Sequence, residues 1–171
     1  MELRRPSIAL VASYLESIAE MTALGEVIWE SMIPRAGESL DEFVERVLSS
    51  EDRPEPGRVA DSCYWAVEGE VVVGRIALRH HLTASLEEFG GHIGYEVRPS
   101  FRRRGVASEM LRQLLDLPRA RAMGRILVTC APDNVGSNKA IVACGGVLTR
   151  TAFVEKWQRQ TNYYWFDLPR S

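Results

Sequence analysis

The densest chemistry in the sequence lies between Val97 and Ala107, where Arg98, Arg102, Arg103 and Arg104 precede Gly105. Apolar residues then recur at helical spacing (Ala107, Met110, Leu111, Leu114, Leu115), so the arginine-rich loop opens a helix. The first amides of a helix lack internal acceptors and carry a partial positive charge. Gly105 lets backbone approach a ligand closely, and the arginines add charge, so the segment suits a pyrophosphate. A solvated basic loop ahead of a helix is the other reading of these residues. No G-x-x-x-x-G-K-[ST] is present, and no G-x-G-x-x-G, which excludes a Walker loop and a dinucleotide fingerprint.

Titratable side chains gather just upstream. His92 and Glu96 fall within an expected strand from His92 to Val97. Period-two alternation puts them on one face, with Ile93, Tyr95 and Val97 on the other. A histidine suits removal of a proton from an amine near neutral pH. A packed histidine that donates one hydrogen bond is the alternative. His80 and His81 read as a pair at a strand end, and Glu87 and Glu88 as a solvated edge with the capacity to recognise an amine. Tyr163, Tyr164 and Trp165 either pack or line a cleft. Cys63, Cys130 and Cys144 are odd in number and contain no C-x-x-C, so they read as free thiols of a reducing compartment. Cys130 is expected to be inert in a buried strand. No metal is expected.

These groups need a scaffold, and the pattern supplies one. Residues 7–33 carry apolar positions at helical spacing until Pro34 and Gly37 close the block. Ser39 is placed to cap a second helix, and Pro54, Pro56 and Gly57 mark a loop. Cys63 to Val67 and Val71 to Leu78 read as a hairpin about Glu68-Gly69-Glu70. Gly90-Gly91 precedes the His92 strand. Pro118 and Gly124 end or kink the helix that follows Gly105, and Ile126 to Cys130 is a short apolar strand. Ser137 to Cys144 reads as a helix stopped by Gly145-Gly146, with Phe153 to Trp157 and Tyr163 to Leu168 as closing strands. That order predicts one α+β domain over residues 1–171, built round a mixed sheet.

The 171 residues, 46% hydrophobic and 26% charged, exclude a mainly disordered or fibrous chain. No apolar run reaches the roughly 18 residues of a membrane span. Glu16 and Glu20 interrupt the N-terminal pattern, so a cytoplasmic protein without a membrane partner is expected. The net charge of −2 gives no general attraction to nucleic acid. Its distribution is uneven: residues 1–60 hold 12 acids and 6 bases, and residues 61–171 hold 11 acids and 15 bases. An anion is therefore expected in the second part, while the acidic first part hints at a cationic or amine substrate. Phe101 alone interleaves the arginines, so no nucleic-acid partner is expected.

Arg102-Arg103-Arg104-Gly105-Val106-Ala107 fits the [R/Q]-x-x-G-x-[G/A] pattern and resembles the GNAT N-acetyltransferase superfamily. The resemblance extends to Arg79-His80, Gly90 to Tyr95, Val97 to Ser100, Thr129-Cys130, Asn134 to Ser137 and Gly145 to Leu148, with Tyr14 to Glu26 matching an N-terminal helix. It implies a mostly antiparallel sheet of about seven strands flanked by about four helices. It also implies acetyl-CoA as co-substrate, its pantetheine along Tyr95 to Val97. The pyrophosphate would sit over the amides of Arg104, Gly105, Val106, Ala107 and Ser108, with Arg102 nearby. Asn134 would contact pantetheine, cap the Ser137 helix, or do both. The implied reaction is direct acetyl transfer to a primary amine, small molecule or peptide, with His92 and Glu96 as candidate bases. The alternative is an acyl-CoA-binding domain without catalysis. Ile141 stands where many relatives place a tyrosine that protonates the leaving thiolate. Relatives often dimerise, and a homodimer is compatible with the sequence.

Overall fold

In the computed structural model, which describes residues 1–169, the chain begins with a short strand, Glu2–Arg4 (β1). Three residues are too few to show an alternating pattern. Helix Ile8–Ala23 (α1) follows and buries Leu10, Val11, Tyr14, Ile18 and Met21 along one stripe. The helical spacing read through residue 33 outruns the helix. Gly25 stands at φ +72°, a left-handed conformation that ends α1, and Leu24 and Val27 beyond it are exposed. A single 3-10 turn at Glu30–Met32 then buries Met32.

Helix Leu40–Ser49 (α2) starts where a capping residue was expected. The Ser39 hydroxyl accepts from the Glu42 amide, and the Glu42 carboxylate accepts from the Ser39 amide, closing a capping box. Strands Asp61–Glu68 (β2) and Val71–Arg79 (β3) form the expected hairpin, and β1 pairs along β2. Helix Ala84–Glu88 (α3), unforeseen, is one turn capped by Thr83; it holds Glu87 and Glu88, which were read as a loop edge. Strand Ile93–Val97 (β4) pairs antiparallel with β3. Helices Val106–Asp116 (α4) and Pro118–Met123 (α5) are separated by the Leu117–Pro118 junction, where proline breaks the helix. Strand Arg125–Cys130 (β5), helix Val135–Ala143 (α6), and strands Val147–Val154 (β6) and Arg159–Asp167 (β7) complete the fold.

The seven strands form two antiparallel sheets rather than one mixed sheet: β1-β2-β3-β4, and β5-β7-β6. The first is covered on one face by α1 and α2, where the Tyr14 ring stacks on Trp65 with centroids 4.4 Å apart. On its other face Ile76, Leu78 and Ile93 join Met110, Leu111 and Leu114 of α4, and this core runs on to Ile126, Val128 and Ile141 under the second sheet. The expected four helices are present, with the one-turn α3 and the six-residue α5 in addition.

Candidate active site

The two sheets meet between β4 and β5, where main-chain pairing between them is confined to one place. His92 N–H donates to the Leu127 carbonyl at 2.8 Å, and Leu127 N–H donates to His92 Nδ1 at 2.9 Å. No ladder joins the strands beyond it. The consequence for β4 follows from its pairing on the other side. The His92 carbonyl accepts from Arg79, and Arg98 N–H donates to Val73, so the even-numbered residues bond toward β3. Ile93, Tyr95 and Val97 therefore turn their main-chain groups toward the opening. An extended amide-bearing chain has a ready-made edge there.

The loop after β4 leads to the start of α4. Gly105 caps that helix at φ +80°, with no side-chain cap and nothing within 4 Å of where a Cβ would stand. Glu109 N–H makes the first internal bond, to the Gly105 carbonyl, so the amides of Val106, Ala107 and Ser108 have no intrahelical acceptor. Arg103 adds a second left-handed residue at φ 63°.

The four arginines divide into two pairs. Arg102 forks onto Glu26 at 2.6 and 2.7 Å and also donates to the Val97 carbonyl at 3.1 Å. Arg98 reaches Glu20 at 2.7 Å, and Glu20 in turn accepts from the Ser100 amide at 3.0 Å. Burial raises the Glu20 carboxyl, but the bonds from Ser100 and Arg98 outweigh it and hold the group below its usual range. Arg98 and Arg102 thus moor the loop to the C-terminal half of α1 and the turn after it. Arg102, expected beside a pyrophosphate, is committed to this mooring. Arg103 and Arg104 have no carboxylate partner among the described residues, and Arg104 lies over the Phe101 ring at 5.0 Å.

Across the opening, the Tyr95 hydroxyl and Ser137 Oγ are 2.5 Å apart, tying β4 to α6. Asn134 caps α6, its Oδ1 accepting from the Ser137 amide at 3.1 Å. Asn138, which the sequence reading passed over, is the hub behind them. Its Nδ2 donates to the Ala131 and Asn134 carbonyls at 2.8 and 2.7 Å; its Oδ1 accepts from Asn162 and Tyr164 at 2.9 and 2.6 Å. A polar residue one position after a serine gives no signal of such a role. Tyr163 donates to the Glu88 carbonyl, and Trp165 lies edge-on to His92, so both serve packing.

The two titratable candidates sit in different settings. His92 precedes β4 and is nearly buried; desolvation, then the charge of Arg79, lowers its pKa to about 4. With Nδ1 accepting a hydrogen bond, its proton resides on Nε2. Glu96 lies on the α1–α2 side, 3.3 Å from Arg75. Burial raises the Cys130 thiol, as its place in β5 foretold. No group of three or more metal-ligating side chains occurs among the described residues.

Two splayed sheets with a glycine-capped helix beside the opening are an architecture with known counterparts. The sequence model for the acetyltransferase (GNAT) domain matches residues 2–147. The chain belongs to the GNAT acetyltransferase family. Membership makes it an acyltransferase by descent. No curated protein matches the GNAT chain by sequence. Its fold is similar to that of the microcin C7 self-immunity acetyltransferase MccE, solved with acetyl-CoA and AMP: TM-score 0.69, 15% identity, 97% of this chain and 91% of that one covered. It is similar to an acetyltransferase of Salmonella typhimurium that modifies the N-terminal serine of ribosomal protein L7/L12: TM-score 0.66, 16% identity, 97% and 94% covered. It also resembles the spermidine N-acetyltransferase SpeG of Vibrio cholerae: TM-score 0.60, 15% identity, 97% and 94% covered. In this GNAT chain Ile141, at the usual tyrosine position, is fully buried against Gly146. No helix among the described residues is long and apolar enough to cross a membrane.

Proposed function

We propose that the protein transfers an acetyl group from acetyl-CoA directly to a primary amine. The observation that carries this is the opening between β4 and β5, edged by the main chain of Tyr95 and the N–H of Val97 and ending at the free amides of α4. The pantetheine amides would bond along that edge, and the pyrophosphate would rest on the amides of Gly105, Val106, Ala107 and Ser108. Arg104 and Arg103 add charge at the mouth. Arg102 acts one step back, by holding the loop.

Attack of the amine nitrogen on the thioester carbon expels the thiolate of coenzyme A. A thiol of pKa about 8.5 is a tolerable leaving group. The Tyr95–Ser137 hydroxyl pair is the proton source nearest the opening, and it takes the place that Ile141 leaves empty. Of the two expected bases, Glu96 is the better placed to accept the amine proton, directly or through water. His92, neutral and bonded through Nδ1, is a positioning residue that sets where the strands part.

The test is a calorimetric titration with acetyl-CoA, followed by CoA release with a panel of amines. One site per chain with micromolar affinity, lost in Gly105→Glu, is the expected result. Binding that survives Gly105→Glu, or no binding at millimolar ligand, overturns the reading. Tight binding without CoA release from any amine would favour an acyl-CoA-binding domain instead.

A further inference from the structure

The α1–α2 side of the first sheet carries a row of charge. Ladder pairing places Asp61 opposite Arg79, Cys63 opposite Ala77, Ala77 opposite Gly94, and Arg75 opposite Glu96, so these side chains share that face. Because Gly94 has no side chain, Arg79 lies over it, with Nη2 3.5 Å from where a Cβ would stand. Arg79 is satisfied by the Gly90 and Gly91 carbonyls at 3.2 and 2.9 Å. Arg75 reaches Glu96 at 3.3 Å, and it forms part of the wall of a cleft bounded by α2 and the loop before β2.

That cleft is lined by Arg46, Arg53, Glu55, Arg58, Asp61 and Arg75, among others. Two of these charges are already spent. Arg46 forks onto Glu38 at 2.6 and 2.8 Å, and Glu55 pairs with Arg35 at 2.6 Å. Arg53 and Arg58 have no carboxylate within 4 Å among the described residues. What remains without a carboxylate is Arg53 and Arg58 against Asp61, with Arg75, itself paired to Glu96, in the wall of the cleft. This inverts the hint drawn from the acidic first 60 residues. Their carboxylates are drawn off into pairs with Arg5, Arg35, Arg46, Arg98 and Arg102, and the cleft is left cationic.

We infer that this cleft is the acceptor subsite and takes an amine that carries a carboxylate or phosphate remote from its nitrogen. The inference rests on the acetyltransferase reading above. Guanidinium forks match carboxylate and phosphate oxygens bidentately. An amine anchored by its anion on Arg58 and Arg75 would present its nitrogen toward Glu96. A polycationic amine would meet Arg53 and Arg58, with Asp61 the lining carboxylate left to offset them.

The test compares O-phosphoethanolamine and β-alanine with ethanolamine and spermidine as acceptors, by CoA release. Expected is a kcat/KM at least tenfold higher for one of the anionic amines than for ethanolamine, with that ratio falling toward one in Arg58→Gln and Arg53→Gln. Both positions are exposed, so folding is not at stake. Preference for phosphate identifies a phosphorylated acceptor, and preference for the carboxylate an amino-acid or acidic-peptide acceptor. Preference for ethanolamine or spermidine, or a ratio unchanged in both variants, overturns the inference. Inorganic phosphate titrated calorimetrically separates this from the parent reading. Phosphate binding weakened by Arg58→Gln supports the cleft even where acetyl-CoA fails to bind, and no phosphate binding beside normal acetyl-CoA binding sinks the cleft alone.

Discussion

His92 and Leu127 hold each other by two hydrogen bonds, main chain to main chain at 2.8 Å and main chain to ring Nδ1 at 2.9 Å. Gly91 beside them is at φ +61°, and a Cβ there would stand 2.5 Å from the Leu127 carbonyl oxygen. The two sheets are pinned at this point and part beyond it. Replacing His92 by alanine leaves the Leu127 amide buried without an acceptor, at a cost of about 1–3 kcal/mol. Asparagine can return an acceptor oxygen. Thermal melting should order wild type above His92→Asn and His92→Asn above His92→Ala; equal melting of the two variants would show that the bond carries no weight.

The same ring predicts a pH dependence. Its pKa falls from 6.5 when unfolded to about 4 when folded. Between these values the unfolded chain binds more protons, so stability is complete above pH 6.5 and declines as pH falls toward 4. Carboxylates such as Glu20 and Glu38, held below their usual range, add their own loss at lower pH, below about 4.5. Urea midpoints measured from pH 7.5 to 4 should fall less steeply in His92→Asn than in wild type. Parallel slopes would remove His92 from the titration.

At Gly105 conformation and space can be tested apart. The site is open but left-handed, so Gly105→Ala should cost only about 1 kcal/mol in stability, from the φ penalty. Gly105→Glu should keep a similar melting temperature and abolish acetyl-CoA binding, because a carboxylate would stand over the free amides. A comparable affinity in both variants would place the pyrophosphate elsewhere.

Asn138 joins the loop after β5, helix α6 and β7 through four close hydrogen bonds. Asn138→Ala strands the Tyr164 hydroxyl and the Asn162 amide, and should destabilise by about 2 kcal/mol or more. Asn138→Asp keeps the accepting oxygen but sets a second carboxylate oxygen against the Ala131 and Asn134 carbonyls, so its denaturant midpoint should also fall below wild type. A midpoint of Asn138→Ala at the wild-type value would deny the hub its role.

The Tyr95–Ser137 pair should matter to turnover more than to binding. Loss of a group that helps the leaving thiolate costs at least about a hundredfold. Single-turnover CoA release should therefore slow in Ser137→Ala and in Tyr95→Phe, with acetyl-CoA affinity changed little. The double variant should be no slower than the worse single one, because the hydroxyls act as a unit. Additive losses would separate them.

The arginine-to-glycine loop, the helix behind it and the hairpins before and after it were legible because each is a local matter. A left-handed glycine, a capping serine and an alternating strand are written within a few residues. What sequence could not show is which charges cancel. Arg102 and Arg104 stand two positions apart, yet one is drawn onto Glu26 and the other lies over the Phe101 ring, because α1 packs beside the loop. The acidic first 60 residues likewise read as one negative block, and pairing across the fold draws Glu38 and Glu55 of the cleft's surroundings onto Arg46 and Arg35.

The local sequence determined the elements, the glycine that opens α4 and the isoleucine at position 141. Tertiary structure alone decided that one expected sheet is two, that His92 pins their junction, and that Asn138 ties the second sheet to its helix. The physical reason is range. Backbone propensity acts over a few residues, whereas a buried donor must find its acceptor wherever the packed chain brings one, here 35 residues away from His92 at Leu127.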